Sequence, residues 1–204
     1  MQFKLLIGTN NHGKVREYSR LLNDLPIVFT TPEQEGITGE PNETGDSFLE
    51  NALIKAQYYS SETGLPTLSD DSGLEVDALD GAPGIYSARY AGVAATDNEN
   101  NDLLLNNLSE TPWEGRTARF RCVIALVISG NESELFEGTC DGYVTRQING
   151  INGFGYDPLF YYPGFGKTFG EIDHDSKDAV SHRGIATNKL YKRLKCLLTR
   201  DSTE

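Results

Sequence analysis

The first hydrophobic run is short: Lys4 to Gly8 reads KLLIG and breaks at Thr9-Asn10-Asn11, after which Val15, Tyr18, Leu22 and Leu25 recur at helical spacing. This pattern predicts a strand, a loop and a helix. A second helix is predicted over Thr44 to Ser61, where Phe48, Ala52 and Ala56 share a face, Thr44 and Asp46 can cap the start and Lys55 lies toward the far end. LPTL and LEVDAL then read as two strands on either side of Asp70-Asp71, with Leu74, Val76 and Ala78 alternating against Glu75, Asp77 and Leu79. Adjacent carboxylates repel and want water, so between two strands the pair reads first as a turn. GAPG punctuates the next stretch, and Thr96 to Leu108 predicts a third helix. ARFRCVIALVIS (Ala118 to Ser129) is a long strand, paired through Gly130-Asn131 with ELFEGTCDGYV as a hairpin. Asn149 to Gly166 is dense in Gly, Pro and aromatics, a loop composition. Ser181 to Leu198 closes the pattern as a helix, with Ile185, Leu190, Leu194 and Leu197 toward the core.

Length and composition narrow the class. A chain of 204 residues, 38% hydrophobic and 24% charged, can bury a sizeable core and is globular in composition. No repeat, low-complexity tract or linker divides it, so one domain over residues 1–204 is expected. No apolar run approaches a membrane span, and MQFKLLIGTN turns polar too soon for a signal peptide, so a cytoplasmic protein without a membrane partner is expected. Cys122, Cys140 and Cys196 are too far apart for a zinc knot or a disulfide framework, and are expected as buried, reduced thiols. The net charge of −12, from 18 basic and 30 acidic side chains, disfavours nucleic acid as a partner. A small polyanion remains compatible with it where metal ions and clustered Lys or Arg invert the potential locally.

Three segments carry chemistry. GTNNHGK sets Thr9, Asn10, Asn11, His12, Gly13 and Lys14 between a strand and a helix, where free N–H groups and the helix dipole favour an anion. Val15 follows the lysine where a Walker loop needs a hydroxyl, so the alternative is an ordinary capped turn. Glu43, Glu50, Asp70 and Asp71 form an acidic set whose hard oxygens suit Mg²⁺, which takes one or two carboxylates and completes its shell with water and phosphate. Late in the chain, GFGYDP interleaves glycine with Phe154 and Tyr156, a loop able to stack an aromatic on a planar ring. Lys177 and SHRG, with His182 and Arg183, add donors for carbonyl or phosphate oxygens.

Taken in order, GTNNHGK, ETGDSFLENA, SDDSGLEVDALDGAPGIYSARYAG, GFGYDP, Lys177 and SHRG resemble the signature set of the inosine triphosphate pyrophosphatase family, the Ham1-like or dITP/XTP pyrophosphatases. The resemblance runs from the first strand to the last helix. It departs from the usual family pattern at Gly8, where Ala is common, and at Tyr156, where some relatives carry Trp. It implies an α/β fold with an elongated central mixed sheet, flanking helices and two lobes around an active-site groove. It also implies Mg²⁺-dependent hydrolysis of the purine nucleoside triphosphates ITP, dITP and XTP to monophosphate and pyrophosphate, by a homodimer. Carried onto this chain, it makes Asp71 the general base, with Glu43, Asp70 and Asp71 on the metal. Thr9, Asn10, Asn11, His12, Gly13, Lys14, Ser72 and Lys177 fall to the phosphates, while Phe154, Gly155, Tyr156, Asp157, His182 and Arg183 fall to the base. Two other readings make different demands. A silent purine-nucleotide-binding module would not need the carboxylates, and an aspartyl phosphatase would need a DxD strand end that DDSG lacks.

Overall fold

A computed structural model of the chain describes residues 3–128 and 132–200. In chain order the elements are β1 (Phe3–Ile7), α1 (His12–Leu21), β2 (Ile27–Thr30), α2 (Phe48–Thr63), β3 (Thr67–Val76), α3 (Asp97–Asn107), β4 (Thr117–Val127), β5 (Ser133–Val144), β6 (Phe160–Tyr162), β7 (Lys167–Thr168), α4 (His174–Val180) and α5 (His182–Arg200). The strands hydrogen-bond in the order β2-β1-β3-β4-β5-β6-β7. β1 runs parallel to both β2 and β3, whereas β6 is antiparallel to β5 and β7, so the fold is α/β with a mixed sheet. Parallel neighbours need crossover connections, which α1 and α2 supply.

The chain divides into two compact units, Met1–Asp71 with Cys122–Gly138 and Gly184–Glu204, and Ser72–Arg121 with Thr139–Arg183. The first has a core of Leu5 and Ile7 from β1, Tyr18 from α1, Leu68 from β3, Cys122, Ile124 and Leu126 from β4, and Ala186, Leu190 and Leu194 from α5. The second buries Leu74 and Val76 of β3, Leu104 of α3, Ala118 and Phe120 of β4, Cys140 and Val144 of β5, and the aromatic set Tyr156, Phe160 and Phe169. Along the end of β5 burial alternates, with Gly138, Cys140, Gly142 and Val144 inside, as one covered face requires. Among the described residues, no helix is long and apolar enough to cross a membrane.

Several expectations are corrected. The Asp pair lies in no turn: the Thr67-Leu68 of LPTL and the LEV of LEVDAL belong to the single strand β3, the pair sits mid-strand, and a 3-10 turn comes after it at Asp77–Leu79. The cap of α2 is Ser47, whose side chain accepts the Glu50 N–H, rather than Thr44 or Asp46. Glu50 bonds the Asp46 N–H and so closes the helix entry instead of joining the acidic cluster. The aromatic segment expected as loop contains β6, because Phe160 to Tyr162 can extend the sheet beside β5. Cys122 and Cys140 are buried free thiols, but Cys196 is exposed. The hairpin partners β4 and β5 are neighbours in the sheet, and Ser129, Gly130 and Asn131 lie outside the described residues.

Candidate active site

In the first unit the chemistry gathers on β3. Successive side chains of a strand point to opposite faces, so Asp70 and Asp71 diverge although they are adjacent. Both are buried, at 1% and 6% exposure. Asp70 Oδ2 lies 3.0 Å from the Lys14 ammonium and 3.7 Å from the Cys122 thiol. Lys14 stands in the first turn of α1, where Asn11 is the N-cap and accepts the Lys14 N–H at 3.1 Å. The neighbouring loop is tied in the same way: Thr9 Oγ1 accepts the Asn11 N–H, and Asn10 donates to Glu40 at 2.6 Å. His12 and Gly13 open the helix. Gly8 has little room for a side chain, since a Cβ there would lie 2.9 Å from the Tyr59 ring.

Asp71 faces α2. Its Oδ1 accepts from Lys55 Nζ at 2.8 Å and its Oδ2 from Asn51 at 3.4 Å, and the same Lys55 Nζ donates to Glu43 at 2.8 Å. Burial pushes the Asp71 carboxyl above its ordinary value, a rise that the ammonium groups of Lys55 and Lys14 reduce without cancelling. Lys55 is held charged: burial works against its proton, but Asp71, then Glu43 and Asp70, outweigh it and raise its pKa. In the sequence pattern Lys55 is only a charge toward the helix end, and Asn51 does not stand out. A signal exists, because both fall on the buried face of α2 with Phe48, Ala52, Ala56 and Tyr59, where a lysine needs a carboxylate partner.

The donors suit a hard divalent cation. Glu43, Asp70 and Asp71 supply carboxylate oxygens against the ammonium groups of Lys14 and Lys55, leaving one net negative charge. Among the described residues no three His, Cys, Asp or Glu side chains converge as a ready ligand set. Mg²⁺ does not require one, since it keeps waters and draws on substrate phosphate.

The second unit holds the loop GFGYDP. The Phe154 ring has the Lys177 ammonium 5.0 Å and the Arg183 guanidinium 5.6 Å from its centroid. Asp157 fixes this arrangement: its Oδ2 accepts the Lys177 ammonium at 2.6 Å and the Phe154 N–H at 2.9 Å. Gly153 permits it, with φ +77° and no space for a Cβ, which would fall 2.0 Å from Asp157 Oδ2. Lys177 comes from α4, capped by Asp173, and His182 and Arg183 open α5. Arg183 donates to Ser72 Oγ at 2.7 Å. His182 is buried with its ring stacked on Phe120, centroids 4.5 Å apart. Tyr156 turns into the core, donates to the Ser87 carbonyl at 2.9 Å, and has its phenol pushed well above the ordinary value by burial. It therefore anchors the loop.

The sequence profile of the Ham1 family matches residues 5–193. The chain is 47% identical over 192 residues to the dITP/XTP pyrophosphatase of Desulforamulus reducens, covering 94% of this chain and 95% of that protein. It is 48% identical over 191 residues to the dITP/XTP pyrophosphatase of Geobacter sulfurreducens, covering 94% and 96%. Its fold is similar to that of a HAM1 protein from Coxiella burnetii, with a TM-score of 0.86, 41% identity and coverage of 95% of this chain and 98% of that one.

Proposed function

The chain belongs to the Ham1 family, and on that premise we propose that it is a Mg²⁺-dependent nucleoside triphosphate pyrophosphohydrolase. Its substrates are ITP, dITP and XTP, its products the monophosphate and pyrophosphate, and it acts as a cytoplasmic homodimer. The relatives named as dITP/XTP pyrophosphatases support the substrate class. The observation that carries the reaction is the buried Asp71 carboxylate, raised above its ordinary pKa yet kept ionisable by Lys55.

A carboxylate so tuned is a better proton acceptor at neutral pH than an exposed one. In this reading Asp71 takes a proton from a water as its oxygen attacks the α-phosphorus. The bond from that phosphorus to the bridging oxygen breaks, and the pyrophosphate leaves with the electron pair. Thr9, Asn10, Asn11 and the N–H groups opening α1 at His12 and Gly13, together with Lys14, Lys177 and Ser72, bind the phosphates. Lys55 orients Asp71 and limits how far burial raises its pKa. Glu43 and Asp71, which share Lys55, would hold Mg²⁺, with Asp70 adding its charge from the other face of β3; when bound, the ion would supply charge neutralisation at the triphosphate.

Phe154 stacks on the base, Gly155, Tyr156 and Asp157 set its pocket, and His182 and Arg183 read its edge. Hypoxanthine and xanthine offer an acceptor oxygen at C6, whereas adenine offers an amino donor that leaves a guanidinium unsatisfied. Such a mismatch at a buried donor can reach roughly 10⁴-fold in discrimination. Hydrolysis of dITP in ¹⁸O-water tests the bond cleaved. Label confined to the monophosphate is expected; label in pyrophosphate, or release of dIDP and orthophosphate, contradicts the proposal.

A further inference from the structure

The backbone of Gly155 is held on both sides of its Cα by one helix. Its N–H donates to Asp97 Oδ2 at 2.7 Å, and its carbonyl accepts from Asn101 Nδ2 at 3.0 Å. Asp97 and Asn101 are four residues apart, so they share one face of α3. Neither interaction is needed to finish the helix. The start of α3 is closed by Thr96 and Glu99, which bond each other's backbone N–H reciprocally, so Asp97 is not occupied as a cap. Asn101 is 2% exposed, at a depth where an amide normally serves a defined partner.

Gly155 stands where the loop needs such a brace. It has φ +60°, and a Cβ there would meet nothing within 4 Å, so packing alone does not fix its conformation. A glycine in that state moves between backbone basins more freely than any other residue. Its neighbours are secured differently, Phe154 through its N–H on Asp157 and Tyr156 through its hydroxyl on the Ser87 carbonyl. A turn bond from the Asp157 N–H to the Phe154 carbonyl, at 3.2 Å, spans Gly155 but fixes neither of its own polar groups. Without the bonds to α3, Gly155 is the joint between these two anchors that could turn and carry the Phe154 ring out of line with Lys177 and Arg183.

From this geometry we infer that Asp97 and Asn101 are positioning residues for purine recognition: they fix the two peptide planes that flank Gly155 and thereby set the plane of Phe154. The inference rests on the reading that Phe154 stacks on the base. Their effect falls on base binding and reaches the phosphate chemistry only through it.

The test compares Asp97→Ala, Asp97→Asn and Asn101→Ala with the parent enzyme. Asp97 is exposed and the helix cap is intact without it, so its variants fold. Hydrogen exchange of the Gly155 amide, followed by NMR, is expected to quicken about tenfold or more in Asp97→Ala. Asp97→Asn, which keeps an acceptor oxygen, restores most of the protection. With dITP as substrate, Asp97→Ala and Asn101→Ala raise KM about tenfold while kcat stays within about twofold, and inhibition by inorganic pyrophosphate is unchanged. Unchanged exchange at Gly155 overturns the clamp. Faster exchange with unchanged KM overturns the positioning role, as does an equal loss of pyrophosphate affinity. A parent enzyme inactive on every purine triphosphate would instead remove the proposed function, leaving the exchange data to decide the clamp alone.

Discussion

Lys55 Nζ lies 2.8 Å from Asp71 Oδ1, joining the buried face of α2 to the middle of β3. This pair explains how two adjacent carboxylates sit inside a sheet. Asp71 has Lys55 and Asp70 has Lys14, each lysine from a different helix, and the strand pleat turns the two acids apart.

The pair also sets a pH dependence. With Asp71 as base, kcat/KM falls as pH drops through its folded-state pKa, which burial raises above the ordinary carboxylate value. The acid limb is therefore expected above the usual carboxylate range. Lys55 lowers the Asp71 pKa by its charge, so Lys55→Met moves that limb to higher pH. A pH profile of kcat/KM for dITP checks both directions, and a limb that moves down in Lys55→Met contradicts the assignment.

For stability the sign runs the other way from an ordinary paired acid. A folded-state pKa above the unfolded one means that the native protein binds this proton more tightly. The resulting stabilisation is present below the unfolded pKa and is lost as pH rises through the folded value. Burial thus works against ionised Asp71 at neutral pH while its pairing with Lys55 offsets that, and Lys55 keeps Glu43, so Asp71→Asn is expected to change Tm little at pH 7 while activity falls by about 10² or more. Differential scanning calorimetry beside the activity assay measures both. A large drop in Tm would show that the carboxylate holds the fold together.

The Asp157–Lys177 pair is buried, with both side chains 3% exposed. Asp157→Ala takes the carboxylate away from a buried ammonium and frees the Phe154 N–H, for an expected loss of about 3–5 kcal/mol in urea unfolding at neutral pH. A loss below about 1 kcal/mol would mean that water reaches Lys177 readily.

Arg183 bonds Ser72 and lies over Phe154, two contacts that use a planar guanidinium. Arg183→Lys keeps the charge but loses that geometry. KM for XTP and dITP is expected to rise about tenfold, with a smaller change for ATP, so selectivity narrows. Steady-state kinetics on the three nucleotides decide this, and equal changes on all would remove Arg183 from base reading.

Much of the fold and site is legible in the sequence, for physical reasons that differ by residue. β1, α3 and α5 declare themselves through local periodicity, and the loop GFGYDP through its composition. The setting of Asp70-Asp71 is not legible, since local repulsion argues for a turn and the lysines that relieve it lie 56 and 16 residues away. Lys55 is hidden for the same reason, although a cation in an apolar stripe is a usable clue. β6 is obscured because a three-residue strand among Gly and Pro has no room to show a period. The bonds of α3 to Gly155 join Asp97 and Asn101 to a residue 58 and 54 positions away, beyond any pattern in the chain.

The most direct measurement is pyrophosphate release from ITP, XTP, dITP, GTP and ATP at saturating Mg²⁺, with Asp71→Asn in parallel. Release from the first three, little from ATP, and loss of release in the variant are expected, with GTP reporting whether the 2-amino group is also read. Equal turnover of ATP, or full activity in Asp71→Asn, would contradict the proposed function.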